Sequence, residues 1–154
     1  MTGCRIGEVA GIQRSELVSV TDDTNAHLLL PPERVKNARI DYVPLVGLGL
    51  ETVREAMTLS TGDWLFPGRH GGGPMRPHAT VTAMVRFAQT HGGTWLKIRP
   101  CAHDLRRTCR SGLSKLKVSE VDARAVLNHV AKDVDGRVYD TYERIPERRL
   151  ALTP

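Results

Sequence analysis

The sequence predicts a mainly helical α+β domain with a small antiparallel sheet at one edge. Two short β-prone runs, "AHLLLPPE" (26–33) and "RIDYVPL" (39–45), flank a turn-forming "RVKNA" and read together as a hairpin. The second half carries longer segments with apolar residues at helical spacing. There Ser119 and Asp122 also make an S-x-x-D helix-start signal. At 154 residues the chain fits one domain with a real core, spanning 1–154.

The elements follow in order. Residues 5–18, "RIGEVAGIQRSELV", place Ile6, Val9, Ala10 and Leu17 at roughly helical spacing, with Gly11 as an interruption or end. The hairpin turn centres on Asn37, where Asn37-Ala38 is a weaker version of Asn-Gly. Residues 48–60 read as a helix, and "DWLFPG" (63–68) as a short apolar segment closed by Pro67-Gly68. "RHGGGPMRP" reads as a loop, since it lacks the Gly-Lys-Ser/Thr ending of a phosphate cradle. Helices are expected over 77–91 and 103–117. In the latter, Leu105, Cys109, Leu113 and Leu116 form the expected buried stripe, opposite a face shared by His103 and Arg106. Ser119 opens a further helix ending near "VLNHV", and a last one is expected from Tyr139 to Leu152.

Composition narrows the function classes. The chain is 40% hydrophobic and 25% charged, ordinary for a soluble globular protein, and its formal charge of +5 is compatible with a nucleic-acid partner. Aromatic residues make up only 5%, too few for a single-strand stacking platform, so a duplex backbone fits better. Cys4, Cys101 and Cys109 form no CxxC pair, which suits buried thiols in a reducing cytosol. No signal-peptide core or membrane-length apolar run is present, so a cytoplasmic protein is expected. His70, His78, His91, His103 and His129 lack HExxH or other tight ligand spacing, and no motif asks for a metal or cofactor.

The chemistry-bearing residues are Arg5, Glu8, Lys36, His103, Arg106, His129 and Tyr139. Each alone reads as something ordinary: a surface arginine, an exposed turn lysine, a histidine ending a helix. They lie in "TGCRIGEVAGI", "ERVKNARIDYVPL", "HDLRRT" and "VLNHV…GRVYDTYE", and these boxes in this order span nearly the whole chain. In that order they resemble the catalytic domain of tyrosine recombinases, the phage-integrase family, and within it the integrases of prophages and genomic islands.

The resemblance implies a site-specific recombinase that cleaves and rejoins double-stranded DNA through a 3′-phosphotyrosine. It implies Arg5 and Arg106 as a clamp on the non-bridging phosphate oxygens, a forked geometry that lysine cannot reproduce. It implies Tyr139 as nucleophile, His103 as general base, His129 as hydrogen-bond donor to phosphate, and Lys36 as general acid at the leaving oxygen. Glu8, three residues after Arg5, would orient the clamp. Ala38 stands where the family usually has glycine. Tyr142, one turn beyond Tyr139, is the alternative nucleophile. The resemblance further implies a tetramer on two duplexes, accessory DNA-bending proteins as partners, and association with the nucleoid. It also implies that helices and DNA-binding domains ordinarily precede the "TGCR" with which this chain opens. A non-cleaving DNA-binding remnant and a type IB topoisomerase-like activity are the competing expectations.

Overall fold

The computed structural model describes residues 2–69, 72–92, 97, 101–129 and 144–153. Among them the chain is α+β, with helix predominating and a small open three-stranded antiparallel sheet. The sheet runs β1 (Leu17–Val18), β2 (His27–Leu30), β3 (Asp41–Pro44), in that spatial order. β2 alternates half-buried His27 and Leu29 with buried Leu28 and Leu30, the two-residue period of a strand with one face on a core. Leu28 stands opposite Val43 and Leu30 opposite Asp41. The β2–β3 connection is a long loop, with a 3₁₀ turn at Pro32–Arg34 and then the turn closed by the Ala38 N–H on the Val35 carbonyl at 2.9 Å.

Residues 5–18 are not one helix. α1 covers only Ile6–Ala10; a 3₁₀ turn at Arg14–Glu16 and strand β1 take the rest. So short a helical segment is marginal by itself, and tertiary partners outbid its periodicity. Leu17 pairs with Leu28 across the sheet. Arg14 reaches away to carbonyls ending the next helix: Nε donates to Gly62 at 2.8 Å and Nη2 to Met57 at 2.9 Å. That helix, α2 (Gly47–Leu59), buries Leu50, Val53 and Ala56 against the sheet's inner face. With Ile12, Ala26, Val35, Leu45 and Leu65 these residues make the larger core.

α3 (Pro77–His91) begins with proline in its first turn, where the missing N–H costs nothing. Only Ala88 on it is buried. α4 spans Ala102–Lys115 and α5 Glu120–Val126. Ser119 caps α5 as expected, its hydroxyl accepting the Asp122 N–H at 3.1 Å. α4 and α5 enclose a second, smaller cluster of Cys109, Leu113, Ala123, Val126 and Leu127.

The buried stripe of α4 differs from the expected one. Leu105 is 50% and Leu116 69% exposed, whereas Arg106, Cys109 and Leu113 are buried. The stripe is thus i, i+3, i+7 beginning on the arginine, which goes inside because its guanidinium finds carbonyl partners there.

The last helix, α6 (Ile145–Leu152), also differs: it starts later than Tyr139, because Arg144 is left-handed (φ 50°) and Pro146 sets the first turn. Residues 139–143 lie outside the described residues. α6 is fastened to the sheet by Arg148, whose Nη2 meets Asp41 Oδ1 at 2.8 Å with both side chains buried. Arg149 adds bonds to the carbonyls of Asp23 at 3.1 Å and Ala26. Among the described residues no helix is long and apolar enough to cross a membrane.

Candidate functional site

Arg106 organises the site. From the buried face of α4 its Nη1 donates to the Gly3 carbonyl and its Nη2 to the Leu127 carbonyl. One guanidinium thereby ties the segment before α1 to the segment after α5. Gly3 makes room for this: its φ is 71°, and a Cβ there would lie 2.9 Å from Leu127 Cδ2 and 3.3 Å from Cys109 Sγ. Two residues beyond each anchored carbonyl stand Arg5 and His129.

Arg5 caps α1 in a reciprocal pair with Glu8. The Arg5 N–H donates to Glu8 Oε2 at 2.6 Å, and its Nη1 to Glu8 Oε1 at 2.9 Å. Glu8 is buried while Arg5 keeps about a third of its side-chain surface, 33%, in solvent. The carboxylate fixes one edge of a guanidinium whose remainder is free to face outward. Arg34 braces the same corner from the β2–β3 loop, donating to the Glu8 carbonyl at 2.7 Å and pairing with Glu16. Gly11 admits it, since a Cβ there would lie 2.9 Å from Arg34 Nη2.

The electrostatics record how these groups converge. The Arg106 pKa is lowered from the usual arginine value, first by burial and then by the nearby Arg5 guanidinium, with Glu8 opposing. The His129 pKa is lowered by loss of hydration, then by Arg106, Arg5, Arg110 and Arg124. Positive charges therefore crowd one another here, and a bound anion would relieve that repulsion. Cys4, packed against the larger core, has its thiol pushed up to about 12 by burial and plays no nucleophilic part at neutral pH.

Lys36 is exposed in the β2–β3 loop, and its turn is pinned beside the same cluster: Asn37 Nδ2 donates to Asn128 Oδ1 at 2.8 Å. Ala38 adopts φ 52°, the left-handed conformation that a glycine takes more easily. The turn is thus formed with alanine in a strained position. His103 sits exposed in the first turn of α4, one turn before Arg106.

Arg5, Glu8, Arg106 and His129 are thus brought together, with the Lys36 turn attached through Asn37. His103 stands on the solvent side of the helix that supplies Arg106. Tyr139 and Tyr142 lie outside the described residues. No site role for Gly3, Arg34, Asn37 or Asn128 is legible in the sequence, where Asn37 reads only as the centre of the hairpin turn. For Asn128 a signal existed: asparagine is among the few residues at home at φ 46°. Among the described residues no group of His, Cys, Asp and Glu is placed to hold a metal ion. A separate cavity of about 390 Å³, lined by Asp23, Leu50, Arg54 and Arg149 among others, shares no residue with this cluster. No known protein family, no curated protein and no solved structure matches this chain.

Proposed function

We propose that this chain is the catalytic domain of a tyrosine recombinase, a site-specific enzyme that breaks and rejoins duplex DNA and works as a tetramer on two duplexes. The observation that carries the reading is the double tie of Arg106, which gathers Arg5 and His129 into one anion-hungry cluster although they come from opposite ends of the sequence. Four motif boxes, met in family order, supply residues to that cluster or to elements joined to it.

In the proposed reaction the Tyr139 phenol oxygen attacks phosphorus and the bond from phosphorus to the 5′ oxygen breaks. The phenol proton passes to His103, since an unperturbed phenol is neutral at pH 7. The departing 5′ oxygen takes a proton from Lys36. Arg5 and the N–H groups that Arg106 has not committed to carbonyls would hold the two non-bridging oxygens, with His129 adding a further donor. Removing one such donor costs about 3–4 kcal/mol of transition-state stabilisation. The phosphotyrosine conserves the energy of the broken bond, so rejoining needs no nucleotide.

The test is covalent trapping on nicked duplexes that lose a short 5′-hydroxyl fragment on cleavage, with random sequence around the nick. An adduct surviving denaturation, unaffected by EDTA and absent from Tyr139→Phe, is the expected result. An adduct lost in Tyr142→Phe instead would move the nucleophile. Salt-sensitive DNA binding with no adduct would leave a DNA-binding remnant, and loss of both would overturn the proposal.

A further inference from the structure

The Asn37–Asn128 pair joins two loops 91 positions apart through a single side-chain bond of 2.8 Å. Each asparagine adjoins a residue of the proposed site, Lys36 on one side and His129 on the other. Asn37 Oδ1 and Asn128 Nδ2 are buried and have no hydrogen-bond partner among the described residues. These two atoms are an acceptor and a donor, so the one bond between the amides leaves one atom of each asparagine unpaired. The backbone around the pair is specialised as well, with Ala38 at φ 52° and Asn128 at φ 46°. The left-handed conformation is costly for Ala38, whereas Asn128 takes it readily, and buried polar atoms left unpaired are costly, so this arrangement is held at some expense.

Resting on the recombinase reading, we infer that Asn37 and Asn128 form a positioning clasp that holds the Lys36 turn against the loop carrying His129. Lys36 is exposed and its stem is flexible, so nothing in its own turn fixes where the ammonium goes. A tip tied to the residue before His129 moves with the guanidinium cluster, because the Leu127 carbonyl in that loop is held by Arg106. The clasp thereby keeps the proposed acid in register with the proposed phosphate site. The asparagines themselves touch no reacting atom.

The first test needs no activity. Trypsin cleavage of the Lys36–Asn37 bond in the DNA-free protein should quicken by about tenfold in Asn128→Gly, as expected when a local tie is lost. Glycine keeps the left-handed backbone without strain. Asn128→Asp, which retains the accepting Oδ1, should restore the slow rate. Cleavage after Arg69, in the exposed loop before α3, should not change in either variant. An unchanged rate at Lys36 in Asn128→Gly would overturn the clasp.

The second test asks whether the clasp acts through Lys36. Asn37→Ala should slow adduct formation about tenfold at saturating DNA without weakening DNA binding, as a misplaced catalytic group does. In a Lys36→Ala background the same change should cost less than about twofold. Equal losses in both backgrounds would mean a merely structural role and would overturn the inference. If the wild-type chain forms no adduct, the recombinase reading falls, while the proteolysis still decides whether the clasp holds the turn.

Discussion

The two cores of this chain are built on different principles. The larger one, between the sheet and α2, is apolar throughout, with Leu28, Leu30, Leu45 and Leu65 fully buried. The smaller one, between α4 and α5, contains Cys109, Leu113, Ala123, Val126 and Leu127, and has the Arg106 guanidinium at its edge. The first follows chiefly from hydrophobic burial, with the one buried Asp41–Arg148 pair on β3 fastening α6 to it. The second has less apolar area and is tied by charge-assisted bonds to carbonyls. Where the proposed chemistry lies, stability and site geometry rest on the same side chain.

Breaking the link between α6 and the sheet of the larger core should have the largest effect. Arg148→Ala leaves Asp41 buried and unpaired, so unfolding in urea should show a loss of about 3–5 kcal/mol. Replacing both partners by apolar residues of similar size should recover most of it. A contrast between cores comes next. Leu28→Ala should cost about 3–4 kcal/mol and Leu113→Ala about 2–3, since the smaller cluster can collapse more readily around a deletion.

Arg106→Lys should cost about 2 kcal/mol, because one ammonium cannot serve both the Gly3 and Leu127 carbonyls. Its thermal melt should fall even without DNA, unlike that of an arginine used only for phosphate. The smallest effect concerns pH. The folded His129 pKa lies below its usual 6.5, so the unfolded chain takes up protons first as pH falls. The stability it contributes is therefore present above 6.5 and lost as pH falls through the folded value. His129→Gln should flatten that part of the melting profile as pH falls below 6.5. Bound DNA should raise the His129 pKa, seen as proton uptake on binding.

The sequence was most readable where local chemistry decides the outcome. α3 and the Ser119 cap fall where spacing and capping residues place them, and Gly47–Leu59 and Ala102–Lys115 lie within a residue or two of expectation. It misled where distant partners decide. The helical spacing over 5–18 gave way because Arg14 belongs to the end of α2 and Leu17 to the sheet. On α4 an arginine took the buried stripe from Leu105 and Leu116, which periodicity cannot foresee because the carbonyls that receive it come from Gly3 and Leu127. The joining of Arg5, Arg106 and His129 was readable only as motif order. The amide pair that attaches the Lys36 turn had no reading in spacing at all.

The bonds that close this fold join residues far apart: Arg106 to Gly3 across 103 positions, Arg148 to Asp41 across 107 and Arg149 to Ala26 across 123. Vectorial synthesis therefore delivers β2 and β3 well before the arginines that complete them. Until α6 leaves the ribosome, Asp41 has no cation to meet, and strand β3 cannot bury that carboxylate without the full desolvation penalty. The sheet should stay open and hydrated until α6 has emerged, and these closures, having high sequence separation, should be slow. During that interval an α6 from a neighbouring nascent chain presents the same Arg148 and Arg149. On polysomes, exchange of this helix between chains is the misassembly the fold must outrun.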